Sequence, residues 1–262
     1  MGILPTMFAP NPKPVVLCIS GHDPGGGAGI QADIEAVAAQ GCHAVTLITC
    51  LTVQDSSNVL EVLPVQPDIL LRQAELLSQD FQIAALKIGL IGSRGITQTI
   101  RQIRKMLPDI PMVLDTVLAS GGGQGVGAVD FLKPLLPLST LITPNRHEAR
   151  KLSGEETPDA CAAKLLQMGC TAVLITGADE ASHDQVTNTL FSNAETRHWQ
   201  WPRLPHGYHG SGCTLAAGIA AQLAKGTPLF EAADIAQEYT WKALQQGFKP
   251  GTGQHFPNRI RP

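Results

Sequence analysis

Short apolar runs alternate with amphipathic segments along almost the whole chain, and this alternation narrows the possible architectures more than any other feature. "PVVLCIS" at 14–20 is a β-branched run closed by glycine, and "GIQADIEAVAAQG" at 29–41 sets Ile30, Ile34, Val37 and Ala38 on one helical face. The pattern then repeats. Strands are expected at 43–51, 84–91, 112–115, 140–143 and 171–176, and helices at 68–79, 96–107, near 129–136 and, as a pair, within 146–168. Residues 184–201 read as two antiparallel strands, and the C-terminal part as two helices.

Strands that are apolar on both faces and separated by helices belong in a mainly parallel sheet covered on both sides. Right-handed crossovers put the strand C-termini along one edge, so the loops leaving them meet there. Chemistry is expected in those loops: "GHDPGGGAG", "LTVQDSS", "GLIGS", "DTVLASGGGQG", "TPNRHE" and "TGADE". With 262 residues, 44% hydrophobic and 16% charged, the chain has material for one such α/β domain across 1–262, residues 1–13 being a poorly ordered extension.

A net charge of −3 and the lack of any Lys/Arg run provide no field for nucleic acid or anionic lipid, so the expected partner is a small molecule. No apolar run is long enough for a membrane span, and residues 1–14 lack the pattern of a secretory signal; a cytoplasmic protein is expected. The six cysteines form no CxxC pair and no Cys/His metal spacing. Most read as core thiols.

Each loop has a plain reading beside a functional one. The turn at 21–29 can present backbone N–H groups to an anion, or can simply let a helix pack closely; it is neither a P-loop nor a dinucleotide fingerprint. Asp33 follows on the first turn of a helix, where the helix dipole favours a carboxylate whatever its role. Gln54, at a strand exit, can donate and accept at once, as the edge of an aminopyrimidine requires. Asp115 ends "MVLD", a position suited to magnesium or to a helix cap. Asn145 and Glu148 are spaced as a capping pair, and Glu148 could equally hold magnesium water beside nucleotide phosphates.

Cys213 differs from the other cysteines. "GSGC" precedes Leu215, Ile219 and Leu223 amid small residues, so a tightly packed helix begins there with its free N–H groups pointing outward. The helix dipole is expected to lower the thiol's pKa. A thiolate beside an oxyanion site could accept a proton from an alcohol or act as a covalent nucleophile.

Together, "SGHDPGGGAGIQAD", "VLDTV", "LITPNRHEA" and "HGSGCTLAAGIAA", in this order, resemble the hydroxymethylpyrimidine and phosphomethylpyrimidine kinases of the ribokinase-like superfamily. The resemblance implies a three-layer sandwich with a mainly parallel central sheet and helices on both faces. It also implies phosphorylation of 4-amino-5-hydroxymethyl-2-methylpyrimidine and of its monophosphate for thiamine biosynthesis, with ATP as donor, Mg2+ as cofactor and a homodimer as the assembly. By the same resemblance Cys213 takes the place of the sugar kinases' aspartate base, and Gly210, Ser211 and Gly212 form the anion hole. Gln54 reads the pyrimidine, while Gly21, Ala28, Asp33, Leu90 and Val117 line its pocket. Asn145, Thr176 and Gly177 face ATP, and Asp115 and Glu148 are the magnesium-linked acids.

Two departures from the family pattern bear on phosphate handling. "LASGGG" and "ITGAD" stand where many relatives carry a lysine, so two phosphate contacts are missing, and the second, anionic substrate is the more exposed to that loss. Two rival activities share some of these features. A pyridoxal or pyridoxine kinase tolerates a cysteine at the same place, although Gln54 favours the aminopyrimidine. A thiol acyltransferase or hydrolase would use Cys213 with His209 as base, but no acid is evident to orient His209.

Overall fold

In the computed structural model, which describes residues 13–118, 125, 127–179 and 184–260, one nine-stranded sheet carries the whole architecture. The strands are β1 (Val15–His22), β2 (His43–Gln54), β3 (Val59–Pro64), β4 (Ile83–Ile88), β5 (Met112–Leu114), β6 (Leu141–Ile142), β7 (Ala172–Ile175), β8 (Gln185–Ser192) and β9 (Thr196–Pro202). Their spatial order is β3-β2-β1-β4-β5-β6-β7-β8-β9. From β2 to β7 every pairing is parallel, and antiparallel pairs (β2/β3, β7/β8, β8/β9) close the two ends.

The helices divide between the faces, as crossovers in a sheet buried on both sides demand. On one face lie α1 (Gly29–Ala39), α7 (Ser211–Ala224) and α8 (Leu229–Gln245), packed with Val16, Cys18, Val113 and Leu174. On the other lie α2 (Pro67–Asp80), α3 (Arg94–Met106), α4 (Val129–Leu132) with its 3-10 continuation Lys133–Leu138, α5 (Arg146–Ser153) and α6 (Pro158–Gln167), around Leu17, Ile19, Leu86 and Ile88. Neighbouring strand residues thus feed opposite cores. Five cysteines are buried and free, in agreement with their reading as core thiols, and Cys213 alone among the six is partly exposed.

Every expected strand and helix is present. The additional strand, β3, folds back on the end of β2 with Leu51 opposite Leu63 and Gln54 opposite Val59. Its sequence, "VLEVLP", leaves Leu60 74% exposed and so lacks the buried alternation that marks a strand. Residues 1–12 and most of the glycine-rich segment, 119–124 and 126, fall outside the described residues, as do 180–183. Among the described residues no helix is long and apolar enough to cross a membrane.

Candidate active site

A cleft of about 560 Å³ runs along the C-terminal edge of the parallel strands. Its walls follow the strand order: Gln54 ends β2, Gly21 to Asp23 leave β1, Leu90 follows β4, and Asp115 and Val117 follow β5. Thr143 and Asn145 come next after β6, then Thr176 after β7 and Asn188 on β8. Expected site residues scattered from 21 to 213 in the chain therefore meet along one groove. Eleven of the expected ones besides Gln54 and Asp115 are Gly21, Ala28, Leu90, Val117, Asn145, Glu148, Thr176, Gly210, Ser211, Gly212 and Cys213, and all of these line it.

Asp33 and Gly177 lie behind the wall. Asp33 is wholly buried, and because α1 begins at Gly29 it sits beyond the first turn, out of reach of the dipole argument. Its partner is instead Lys87, whose ammonium stands 2.7 Å from the carboxylate. Gly177 donates its N–H to Asn188 (3.1 Å), and Asn188 in turn donates to Gln237 (2.9 Å). A Cβ on Gly177 would run into the Thr187 carbonyl, so this residue allows close packing behind Thr176.

The floor of the cleft is a buried charge cluster that the sequence reading missed. Lys87 has no exposed surface and stands 3.7 Å from Asp115 as well as 2.7 Å from Asp33. Burial opposes its charge, but Asp33, Cys213 and Asp115 outweigh that and hold Lys87 above its ordinary pKa. Burial raises Asp33 to about 6 even with Lys87 beside it. A lone lysine inside the apolar run "AALKIGLI" was the available signal, since a strand covered on both faces can hide an ammonium only against carboxylates.

Cys213 lies over this cluster on the first turn of α7. Gly210, the residue before the helix, has φ 85° and no capping side chain, so the N–H groups of the first turn stay available to an anion. The expected lowering of the thiol's pKa is not found. Burial pushes Cys213 up to about 12, Lys87 pulls the other way, and Asp115 and Asp33 add to the rise. Desolvation of the sulfur and two nearby carboxylates outweigh the dipole.

Asn145 and Glu148 do form the capping pair: Asn145 Oδ1 accepts from the Glu148 N–H (2.8 Å) and Glu148 Oε2 from the Asn145 N–H (3.0 Å). Glu148 also accepts from the Thr116 hydroxyl and the Leu118 N–H, both at 3.2 Å. Burial, aided by Asp115, nevertheless raises its pKa to about 8. Gln54 donates from Nε2 to the Thr52 hydroxyl (2.7 Å), which leaves its oxygen as an acceptor at the cleft wall.

His209 does have an orienting acid. Its Nε2 lies 2.9 Å from Asp23, whose carboxylate also accepts from the N–H groups of Gly25 and Ala28, each at 2.8 Å. Burial works against the Asp23 charge, but the His209 bond and those two N–H groups bring its pKa below the ordinary value. The pair joins the loop after β1 to the loop before α7. Where a lysine is missing in "ITGAD", Asp179 caps the His147 N–H at 2.9 Å.

A family model described as phosphomethylpyrimidine kinase matches residues 23–258. The hydroxymethylpyrimidine/phosphomethylpyrimidine kinase of Mycobacterium bovis is 37% identical, over 98% of this chain and 97% of that protein. Among solved structures, an ADP complex of Bacillus subtilis pyridoxal kinase is similar with a TM-score of 0.86 and 29% identity, covering 94% of this chain and 97% of that one. A phosphomethylpyrimidine kinase from Clostridium difficile is similar with a TM-score of 0.77 and 29% identity, covering 88% and 100%.

Proposed function

The chain belongs to the phosphomethylpyrimidine kinase family, and from that premise we propose an assignment of the cleft in which the acceptor lies over β2, β1 and β4 and ATP over β6 to β8. It is an ATP-dependent kinase that phosphorylates hydroxymethylpyrimidine and its monophosphate in thiamine biosynthesis. The observation that carries the assignment is the placing of Gln54 and the α7 N-terminus on one groove, with Asn145 and Thr176 beyond them. In this reading Gln54 accepts from the exocyclic amino group of the pyrimidine, with Gly21, Ala28, Leu90 and Val117 against the ring. Asp33 supports the pocket from beneath.

The N–H groups of Ser211, Gly212 and Cys213 face the phosphoryl group in flight. Transfer through a loose transition state asks chiefly for alignment and charge stabilisation, so the acceptor's proton need leave only late, and the base that could take it is the thiolate form of Cys213. A protonated thiol cannot take that proton, and a pKa of about 12 leaves only a small thiolate fraction at neutral pH, so most of the stabilisation falls to the N–H groups of the α7 N-terminus. Magnesium fits the donor set: Asp115 Oδ2 is buried without a hydrogen-bond partner, and hard oxygen ligands with one or two carboxylates are what this ion takes. Glu148, already given three donors, would reach it through water. Bound there, magnesium would offset charge on the transferring phosphate.

A homodimer and a cytoplasmic site complete the proposal. Leu51, Val53 and Leu63, 44% to 48% exposed at the β2–β3 end of the sheet, offer an apolar face for a second copy, and light scattering showing a monomer would remove that assembly.

The deciding experiment follows ADP release with the pyrimidine alcohol, its monophosphate and pyridoxal as alternative acceptors. The alcohol and monophosphate should turn over, and pyridoxal more slowly, since the likeness in backbone to a pyridoxal kinase says nothing of the ring edge that Gln54 meets. Gln54→Leu should raise KM for the pyrimidine and lower kcat/KM by the equivalent of ~1–3 kcal/mol while ATP binding is kept. Unchanged pyrimidine kinetics would take Gln54 out of the site. Turnover of pyridoxal alone would sink the acceptor assignment.

A further inference from the structure

Beyond α8 the chain runs back across the acceptor end of the cleft. Gln254 donates its N–H to the Ser56 carbonyl (2.9 Å) and Gly253 donates to the Ser56 hydroxyl (3.0 Å), so the loop that follows Gln54 is held by this tail. His255 accepts from the His209 N–H at 2.9 Å and donates to the Gly207 carbonyl at 3.0 Å. The segment is fixed to α8 by Asn258 N–H on the Ala243 carbonyl and by the Tyr239 hydroxyl on the Arg259 carbonyl, both 2.9 Å.

Arg259 lies one residue past the stretch that the family model matches. Its side chain turns inward and is 2% exposed. Nε donates to the Thr214 hydroxyl at 2.8 Å, Nη1 to Glu35 at 3.0 Å and to the Gly26 carbonyl at 3.5 Å, and Nη2 to the Gly27 carbonyl. Thr214 passes the contact on, donating to the Gly210 carbonyl at 2.8 Å. One guanidinium therefore bonds both the glycine loop after β1 and the first turn of α7. The two are already in close approach, because a Cβ on Gly210 would run into the Gly27 carbonyl and stand 2.7 Å from Arg259 Nη2.

We propose that Arg259 is a positioning residue for phosphoryl transfer: it clamps the acceptor loop, residues 23–29, against the start of α7 and thereby fixes the gap between the acceptor and the anion hole. The planar fork with five donors suits this task, since it can serve two consecutive carbonyls, a hydroxyl and a carboxylate at once. A lysine cannot. The His209–Asp23 bond ties the same two loops independently, so loss of the fork loosens the Gly26–Gly27 half without releasing the loop altogether. Small displacements matter here, because misplacing a reacting group by ~1 Å can cost up to ~10²-fold in rate.

The inference rests on the acceptor assignment above, and its test separates the two. Arg259→Lys, which keeps a charge opposite Glu35, is compared with the wild type by hydrogen exchange and by kinetics on the full chain; Arg259→Met is a harsher second variant. Exchange should rise at 23–29 and 210–214 with the rest unchanged. The kcat/KM for the pyrimidine should fall about tenfold, KM for ATP should stay within about twofold, and ADP formed without phosphorylated acceptor should increase. Unchanged exchange at both segments overturns the clamp, as does a uniform rise across the chain with Tm and both KM values shifting together. The exchange comparison needs no substrate, so it decides the clamp even if the wild type fails to use the pyrimidine, a result that would sink the acceptor assignment instead.

Discussion

Lys87→Met should cost ~3–5 kcal/mol of folding free energy, the usual consequence of leaving a buried charge without its partner. Against a total of ~5–15 kcal/mol for a folded domain, that is a large fraction. Met nearly matches lysine in length, so the loss comes from charge rather than from a cavity. Asp33, fully buried 2.7 Å from the ammonium, and Asp115 at 3.7 Å would then face each other across a dry floor with no cation. Asp33 can escape only by taking a proton.

The sign of the pH dependence follows from that. A carboxyl whose folded pKa lies above its unfolded one contributes stability at low pH and loses it as pH rises through the folded value. For the wild type this loss runs from the ordinary value of 3.8 to about 6. Without Lys87 the folded value moves higher still, so the loss continues to higher pH. Urea unfolding should therefore show Lys87→Met more destabilised at pH 8 than at pH 5. Adding Asp33→Leu should recover much of the difference and flatten its pH slope. Equal stability of Lys87→Met and wild type at pH 8 would show that the three charges do not depend on one another.

That cluster also shows what a sequence can and cannot reveal. The strands and helices were legible because their periodicity is local, and the edge loops followed from the handedness of parallel crossovers. Gln54, Asp115 and Cys213 could be singled out because each stands at the end of an element, the first two at strand exits and Cys213 at a helix start, where position alone suggests exposure to a ligand. Lys87 was missed because its partners come from α1 and β5, and no local pattern links the three. Arg259 was missed for the same reason: it reaches loops more than 200 residues earlier in the chain, and nothing in "NRIRP" distinguishes it from a solvated tail. The acid for His209 was likewise hidden by a separation of 186 residues. Strand β3 escaped for a different reason, since a strand at the sheet's edge with an exposed face has no core to impose alternation on it.

The thiol is where local reasoning misled, and the correction changes what its removal should do. A helix N-terminus alone would make Cys213 a ready thiolate. Burial beside Asp115 and Asp33 raises its pKa to about 12 instead, so little thiolate exists at neutral pH. Alkylation of Cys213 should accordingly be slow at pH 7 and rise about tenfold per pH unit with no plateau below pH 9. General-base assistance is worth ~10²–10⁴-fold, and a base present as thiolate only in small part at neutral pH belongs at the lower end; Cys213→Ser should lower kcat by about 10²-fold with ATP binding retained. Cys213→Asp should recover part of that loss, because Lys87 below can support a carboxylate there. Its kcat should also depend less on pH than that of the wild type between pH 7 and 9. A covalent nucleophile predicts otherwise: aspartate would restore nothing, and intact mass would reveal phosphate on the wild-type thiol. Full kcat in Cys213→Ser would leave the N–H groups of the α7 N-terminus to carry the reaction and reduce the cysteine to a small side chain that fits where Gly29 meets the helix.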